Sequence, residues 1–169
     1  MLSFSDASSI HRDMTRPGPD LALLLLGGFR QLVDHATAEL LRRGYPELRP
    51  AQEFAMLAID AGANTASDLG RRIGVSKQAA TKMIASLEER GFVALATDEK
   101  DARRRLVSVT TFGHEVMAAG EAIINEKREE WIARIGADEL ARLETHLALL
   151  VGKPVSALQS PGAVGQELD

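Results

Sequence analysis

The stretch that most constrains this chain runs from Thr65 to Thr110, where two short, self-capped helices are followed directly by two β-prone runs. Thr65-Ala66-Ser67-Asp68 offers a hydroxyl acceptor at the head of a helix and a carboxylate three residues on, the pattern of a capping box. The helix it opens carries Leu69 and Ile73 and stops at Gly74, a residue that turns the chain at little steric cost. After Val75, Ser76 can cap a second helix in which Ala80, Ile84 and Leu87 recur on one face, and Gly91 ends it. Phe92–Ala96 and Leu106–Val109 are apolar runs joined by a charged loop, Thr97–Arg105, which reads as a hairpin. Two short helices around a tight turn and then a hairpin make a winged helix-turn-helix. Its second helix has the size and shape to enter a DNA major groove. The fold class expected is therefore mainly α with a small β-hairpin wing (α+β), flanked by further helices.

Charge follows the same division. The whole chain carries a formal net charge of −4, which by itself argues against nucleic acid. Yet Thr65–Thr110 holds nine Lys/Arg against six acids, a net +3, so the rest of the chain stands at −7. A basic patch on an acidic body suits DNA binding that weakens at high salt. A solvated charged face would give the same count, and only the motif decides between them.

The run Ser76–Val93 (SKQAATKMIASLEERGFV) and the wing Asp98-Glu99-Lys100-Asp101-Ala102-Arg103, followed by Leu106-Val107-Ser108-Val109-Thr110, resemble the MarR-type (MarR/SlyA-like) family of winged helix-turn-helix transcriptional regulators. The family wing reads roughly D-x-R-D-x-R, then an alternating strand, then L-T-x-x-G. Here Lys100 replaces the first Arg, Val109-Thr110 replaces Leu-Thr, and Gly113 sits in its expected place. The resemblance extends with falling specificity from about Leu21 to about Val151. It implies a homodimer in which helices from both ends interlock, a palindromic double-stranded operator, and a small aromatic or phenolic ligand held between the dimer helices and the winged helix.

On that basis residues 20–151 form the regulator domain, with its DNA-binding part at about 50–110 and dimerisation helices at about 20–43 and 111–151. Residues 1–19 and 152–169 read as flexible arms. Asp20 is placed to cap a helix over Leu21–Arg43, in which the interior pair Gly27-Gly28 costs roughly 1 kcal/mol each relative to Ala. Close approach of another helix, a kink, or room for a ligand would each account for the pair. Pro50 suits the first turn of a helix over Ala51–Ala61, whose buried side is expected to hold Phe54, Leu57, Ala58 and Ala61. Arg49 stands where the family often has Ser or Thr, so a side-chain cap is missing there. Gly62–Asn64 is expected to be a short link or a one-bridge strand. Thr110 is expected to cap a helix over Thr111–Ile135, and Asp138 and Glu139 to open the last one. In that last helix Leu140, Leu143, Leu147 and Leu150 form a narrow seam. A core stripe would look the same, and the resemblance favours a partner helix.

No catalytic constellation emerges. His11, His35, His114 and His146 are scattered without metal-ligand spacing, Cys is absent, and no phosphate-binding glycine loop is present. No enzyme activity, metal or cofactor is expected. Met1–Gly18 lacks the apolar core of a signal peptide and Leu21–Leu26 is too short to span a bilayer, so a cytoplasmic protein without membrane contact is expected. The DNA-facing set is Thr65, Ser67, Ser76, Lys77, Gln78, Thr81, Lys82, Lys100, Asp101, Arg103 and Arg104, and the dimerisation set is Leu21, Leu24, Leu140, Leu143, Leu147 and Leu150. Gly28, Phe29 and Phe54 are the ligand candidates. By the resemblance, Arg103 enters the minor groove, Asp101 orients it, and Arg104 and Lys100 meet phosphates. Two readings stand beside a DNA-binding regulator: a winged helix used only as a protein-interaction module, and a small-molecule-binding protein whose winged helix is vestigial. The polar run Ser76-Lys77-Gln78 with Thr81 and Lys82 argues against the first, because a protein interface would prefer aromatics there.

Overall fold

Among the described residues, six helices and one antiparallel hairpin follow each other in the order α1 (Pro17–Arg42), α2 (Pro50–Asp60), α3 (Ala66–Ile73), α4 (Lys77–Glu89), β1 (Val93–Thr97), β2 (Arg105–Val109), α5 (Thr111–Ile135) and α6 (Ala137–Val151). This computed structural model describes residues 16–99, 101 and 104–152. The described residues divide into two compact units: one takes residues 16–46 with Gly120–Glu144, the other Glu47–Ala119 with residues 145–152. α5 therefore begins in the second unit and ends in the first.

In the first unit α1 begins earlier than the sequence suggests. Pro17 stands at a position where a missing N–H costs nothing, and Asp20 lies inside the first turn instead of capping it. Asp20 still closes that end, because its Oδ2 accepts the Arg16 N–H (3.0 Å) while its own N–H bonds to the Arg16 carbonyl (2.9 Å). α1 runs unbroken through Gly27-Gly28. Among the described residues a Cβ built on Gly27 meets nothing within 4 Å, and one on Gly28 meets only Trp131 Cη2 at 3.9 Å, an ordinary contact. Close approach of another described helix of the same chain is thus not the reason for the pair. Near the end of α1, Glu39 accepts from Arg42 Nη2 (2.6 Å) and Arg43 Nε (3.0 Å), and Arg43 Nη2 reaches Glu126 (3.2 Å). The hydrogen bonds from these two guanidiniums, Arg42's first, hold the Glu39 carboxyl down at about 2. Arg128 grips Glu144 at 2.7 Å and lowers its pKa in the same way.

The second unit is built around α2, which packs on α3, α4 and β2. Its buried face is Ala55, Met56, Ala58 and Ile59. Phe54 was expected there and is instead 42% exposed, because the face is turned toward residues 55 and 59. Arg49 has no acceptor to cap this helix, as expected, but Gln52 supplies the reciprocal half of a capping box: its Oε1 accepts the Arg49 N–H at 3.1 Å. α3 and α4 are capped as the sequence indicates. Thr65 Oγ1 accepts the Asp68 N–H (3.1 Å), Ser76 Oγ accepts the Ala79 N–H (3.1 Å), and Gly74 turns the chain between them at φ 73°. Gly70 is a close-approach site with no signal in the sequence pattern. A Cβ there would lie 2.8 Å from the Val75 carbonyl oxygen, so only glycine lets the turn fold back on α3.

The hairpin pairs Val93 with Val109 through Thr97 with Arg105. Phe92 lies before β1 and not in it. The Val107 N–H donates to the Asn64 carbonyl (2.9 Å), which ties the link after α2 to β2 by one hydrogen bond. Thr110 locks the start of α5. Its hydroxyl accepts the Gly113 N–H (2.9 Å) and donates to the Gly91 carbonyl (2.7 Å), while its N–H bonds to the Phe92 carbonyl (3.0 Å). One turn on, His114 Nε2 meets Asp60 Oδ1 at 2.8 Å. The core of this unit includes Met56, Leu69, Leu87, Phe92, Val93 and Val116, all buried. No described helix is long and apolar enough to cross a membrane.

Two measurements follow from this packing. At Gly113 an added Cβ would sit 2.2 Å from the Phe92 carbonyl oxygen. Gly113→Ala should therefore destabilise by about 2–4 kcal/mol and lower Tm by about 5–15 °C in a thermal melt. Gly27→Ala should be neutral or stabilising by up to about 1 kcal/mol. A clear loss of stability at Gly27→Ala would mean that a second molecule fills that space. The Glu39 cluster sets the second expectation. Because its folded pKa lies below the ordinary 4.5, the stability contributed by its ion pairs is present above about 4.5 and is lost as pH falls toward about 2. Carboxyl titration by NMR should show Glu39 titrating well below the ordinary 4.5, and Arg42→Ala should move it back toward that value.

Candidate nucleic-acid interface

α4 sorts its side chains by height above the core. Ala80, Ile84 and Leu87 are buried on its inner face, and Lys77, Gln78, Thr81 and Lys82 are exposed on its outer face. An apolar stripe at three- and four-residue spacing fixes the rotation of the helix, so the polar set has nowhere to point but outward. Ala79 and Ala85 are exposed beside them. Neither is expected from the sequence, since alanine carries no signal of its own. Their methyl groups leave room for close approach of another surface and could meet a thymine methyl.

The hydroxyls differ in what they have left to offer. Ser76 Oγ spends a lone pair on the Ala79 N–H and keeps its own proton available as a donor at the positive end of the helix. Thr81 Oγ1 donates to the Lys77 carbonyl at 2.9 Å, so toward solvent it can act only as an acceptor. Thr65 is different again. Its hydroxyl accepts from the Asp68 N–H and donates to Asp68 Oδ2 at 2.5 Å, so it acts as a helix cap with its proton already used, and the expected DNA contact finds no support in its geometry. Ser67 is half-buried in the first turn of α3.

The foot of the wing is closed by three backbone bonds: Asp98 N–H to the Arg104 carbonyl (2.9 Å), Arg104 N–H to the Asp101 carbonyl (2.9 Å), and Asp101 N–H to the Asp98 carbonyl (3.3 Å). Lys100 and Arg103 lie outside the described residues, and with them the expected orientation of Arg103 by Asp101. Arg104 was expected to meet phosphate. Its guanidinium lies 3.8 Å from Asp98 and 4.0 Å from Asp68, so two carboxylates already face it from the wing and from α3. Asp68 also receives Arg71, whose side chain is largely exposed. A residue singled out only as a cap thus gathers the charges of α3 and of the wing. Among the described residues no group of His, Cys, Asp and Glu could hold a metal ion.

The other candidate sets separate in the same way. Leu21 and Leu24 are exposed, at 54% and 58%, as are Leu143 at 45% and Leu150 at 79%. Leu147 is half-buried. Leu140 is 2% exposed, already covered by its own chain, and drops out of any partner surface. Leu23, Leu25, Leu26 and Phe29 are exposed as well, so the first part of α1 presents apolar side chains around its whole circumference.

Residues 50–104 match the model of the MarR family. The fold recurs in several solved structures. The apo form of MarR from E. coli is 23% identical, with a TM-score of 0.62 over 80% of this chain and 98% of that one. The transcriptional repressor CouR, bound to a 23-mer DNA duplex, is 18% identical, with a TM-score of 0.65 over 82% of this chain and 97% of that one. The PcaV transcriptional regulator from Streptomyces coelicolor, in complex with its natural ligand, is 21% identical, with a TM-score of 0.58 over 82% and 94%. The family match falls on α2, the capped helix pair and the first strand and foot of the wing, so this third of the chain is similar to the MarR family, and the fold around it is the one these solved structures share.

Proposed function

We propose that this protein is a homodimeric, sequence-specific regulator that binds a palindromic double-stranded DNA operator and represses until a small aromatic or phenolic ligand releases it. The observation that carries the DNA-binding part is α4: a helix anchored by Ala80, Ile84 and Leu87 that offers Lys77, Gln78, Thr81 and Lys82 to solvent beside a charged wing. The CouR–DNA complex shares this fold and supports the same use here. Recognition helices related by a two-fold axis read half-sites about 34 Å apart. Lys77 and Lys82 supply phosphate contacts, Gln78 can pair bidentately with adenine, and Ser76 donates to the backbone. The exposed leucines of α1 and α6 supply the dimer surface. For the ligand, Gly28 and Phe29 of the first unit remain the candidates. In support, the Trp131 ring edge lies near the open side of Gly28, where an aromatic molecule could pack.

A mobility-shift titration with the DNA upstream of the protein's own gene, at several salt concentrations, tests the core of the proposal. Specific binding with a steep salt slope is expected, and no preference over random duplex would leave a protein-interaction module. Gln78→Ala should relax preference at one base position per half-site, by about 1–3 kcal/mol, with little effect on random duplex. Lys82→Ala should weaken all sequences alike and reduce the salt slope by about one per half-site. Light scattering at micromolar concentration should give a dimer, and replacing Leu24 and Leu143 together with Glu should yield a monomer that no longer shifts the operator.

A further inference from the structure

Far from the exposed face of α4, one side-chain amide joins the start of α2 to the end of α4. Gln52 Oε1 accepts the Arg49 N–H at 3.1 Å and Arg90 Nη1 at 3.1 Å, and Gln52 Nε2 donates to Ser86 Oγ at 3.2 Å. The first two partners can only donate, so the oxygen must face them and the nitrogen must face Ser86. The amide is therefore held in one orientation by groups 34 and 38 residues away in sequence. Arg90 follows the last residue of α4 and is itself pinned: its guanidinium carbon lies 4.9 Å from the centroid of the Phe92 ring, which stacks on Phe112 at 5.5 Å. Phe112 sits in the first turn of α5. A chain of contacts thus runs from α5 through Phe92 and Arg90 to Gln52, all within the winged-helix unit.

The buried stripe of α4 fixes its rotation about its own axis, but an apolar stripe is a poor control of tilt and sliding, because hydrophobic contact has no direction. Hydrogen bonds do have direction, and those of Gln52 meet α4 at Ser86 and Arg90, the end opposite the base-reading turn. A small tilt at that end moves Lys77 and Gln78 by a comparable distance at the other.

We propose that Gln52 is a positioning residue for sequence reading: it sets the tilt of α4 so that its first turn meets base edges in register. This rests on the DNA-binding function proposed above. Nonspecific binding, which depends on charge and not on register, does not need it.

The test compares wild type with Gln52→Met, which keeps the length of the side chain and loses its polarity, and with Gln52→Glu. Glutamate can still accept from Arg49 and Arg90, and the Ser86 hydroxyl can turn to donate to its second oxygen. On a duplex selected from a random pool by the wild type, Gln52→Met should lose tenfold or more in the ratio of specific to nonspecific affinity, with nonspecific affinity and salt slope unchanged. Gln52→Glu should recover that ratio to within about threefold. Wild-type discrimination in the Met variant would overturn the proposal, as would equal losses in both variants that follow their melting temperatures. Amide hydrogen exchange on the free proteins separates this idea from the DNA-binding reading. The turn Ser86–Arg90 should lose protection in the Met variant and regain it in the Glu variant, and unchanged protection there overturns the role of Gln52 whatever the DNA result. A wild type that selects no sequence at all would instead overturn the DNA-binding reading.

Discussion

The burial of Ala80, Ile84 and Leu87 is the contact on which the rest of the winged helix depends. The buried face consists of one alanine and two larger apolar residues. Together they hold a thirteen-residue helix whose outer face carries two lysines, a glutamine and a threonine that gain nothing from the core. Burial of a side chain of the size of Leu or Ile contributes roughly 1.5–3 kcal/mol. That is enough to orient the helix, and it leaves the outer positions free to be chosen for recognition and not for stability. The caps then decide where the helix begins. Ser76 and Thr65 place two helix starts eleven positions apart, and Gly70 and Gly74 let the chain turn between them.

Local chemistry was therefore legible. A hydroxyl before a helix, an apolar stripe within it and a glycine behind it are short-range signals, and the structure reproduces α3, α4 and the Thr110 cap from them. The hairpin was legible to within a residue at each end, since β1 starts at Val93 and β2 at Arg105. Where the reading slipped, rotation or distance was at fault. Phe54 carries the largest apolar side chain in α2, and size drew it into the expected core. The helix instead buries Ala55, Met56, Ala58 and Ile59 where it packs against α3 and α4. Leu140 belongs to a regular leucine repeat, and periodicity cannot tell a leucine covered by its own chain from one left for a partner.

What was not legible is the long-range polar wiring. Gln52 reads as an ordinary first-turn residue, and nothing in its neighbourhood announces Ser86 or Arg90. Asp68 reads as half of a cap, yet it also faces Arg71 and Arg104. Such contacts depend on how whole elements pack, and a few tenths of a kcal/mol of local preference carry no trace of them. The same limit applies to Gly113, whose place was known from the wing pattern but whose reason, the 2.2 Å that would separate a Cβ from the Phe92 carbonyl oxygen, appears only in three dimensions.

Charge gives these contacts a common consequence. An excess of cations over Thr65–Thr110 would draw any polyanion, and on a chain that is otherwise acidic this excess is the main long-range attraction available. Attraction alone would bind all sequences alike. The carboxylates of Asp68 and Asp98 temper it locally, because each holds an arginine that would otherwise move freely in solvent and ties it to a defined place on α3 or at the foot of the wing. Arg104 then costs less ordering when a surface approaches, and some of its charge is already neutralised. In the proposed DNA complex this shifts the balance away from nonspecific charge and toward shape, so that discrimination falls to the start of α4, where Ser76 still has its proton to donate and Thr81 can only accept.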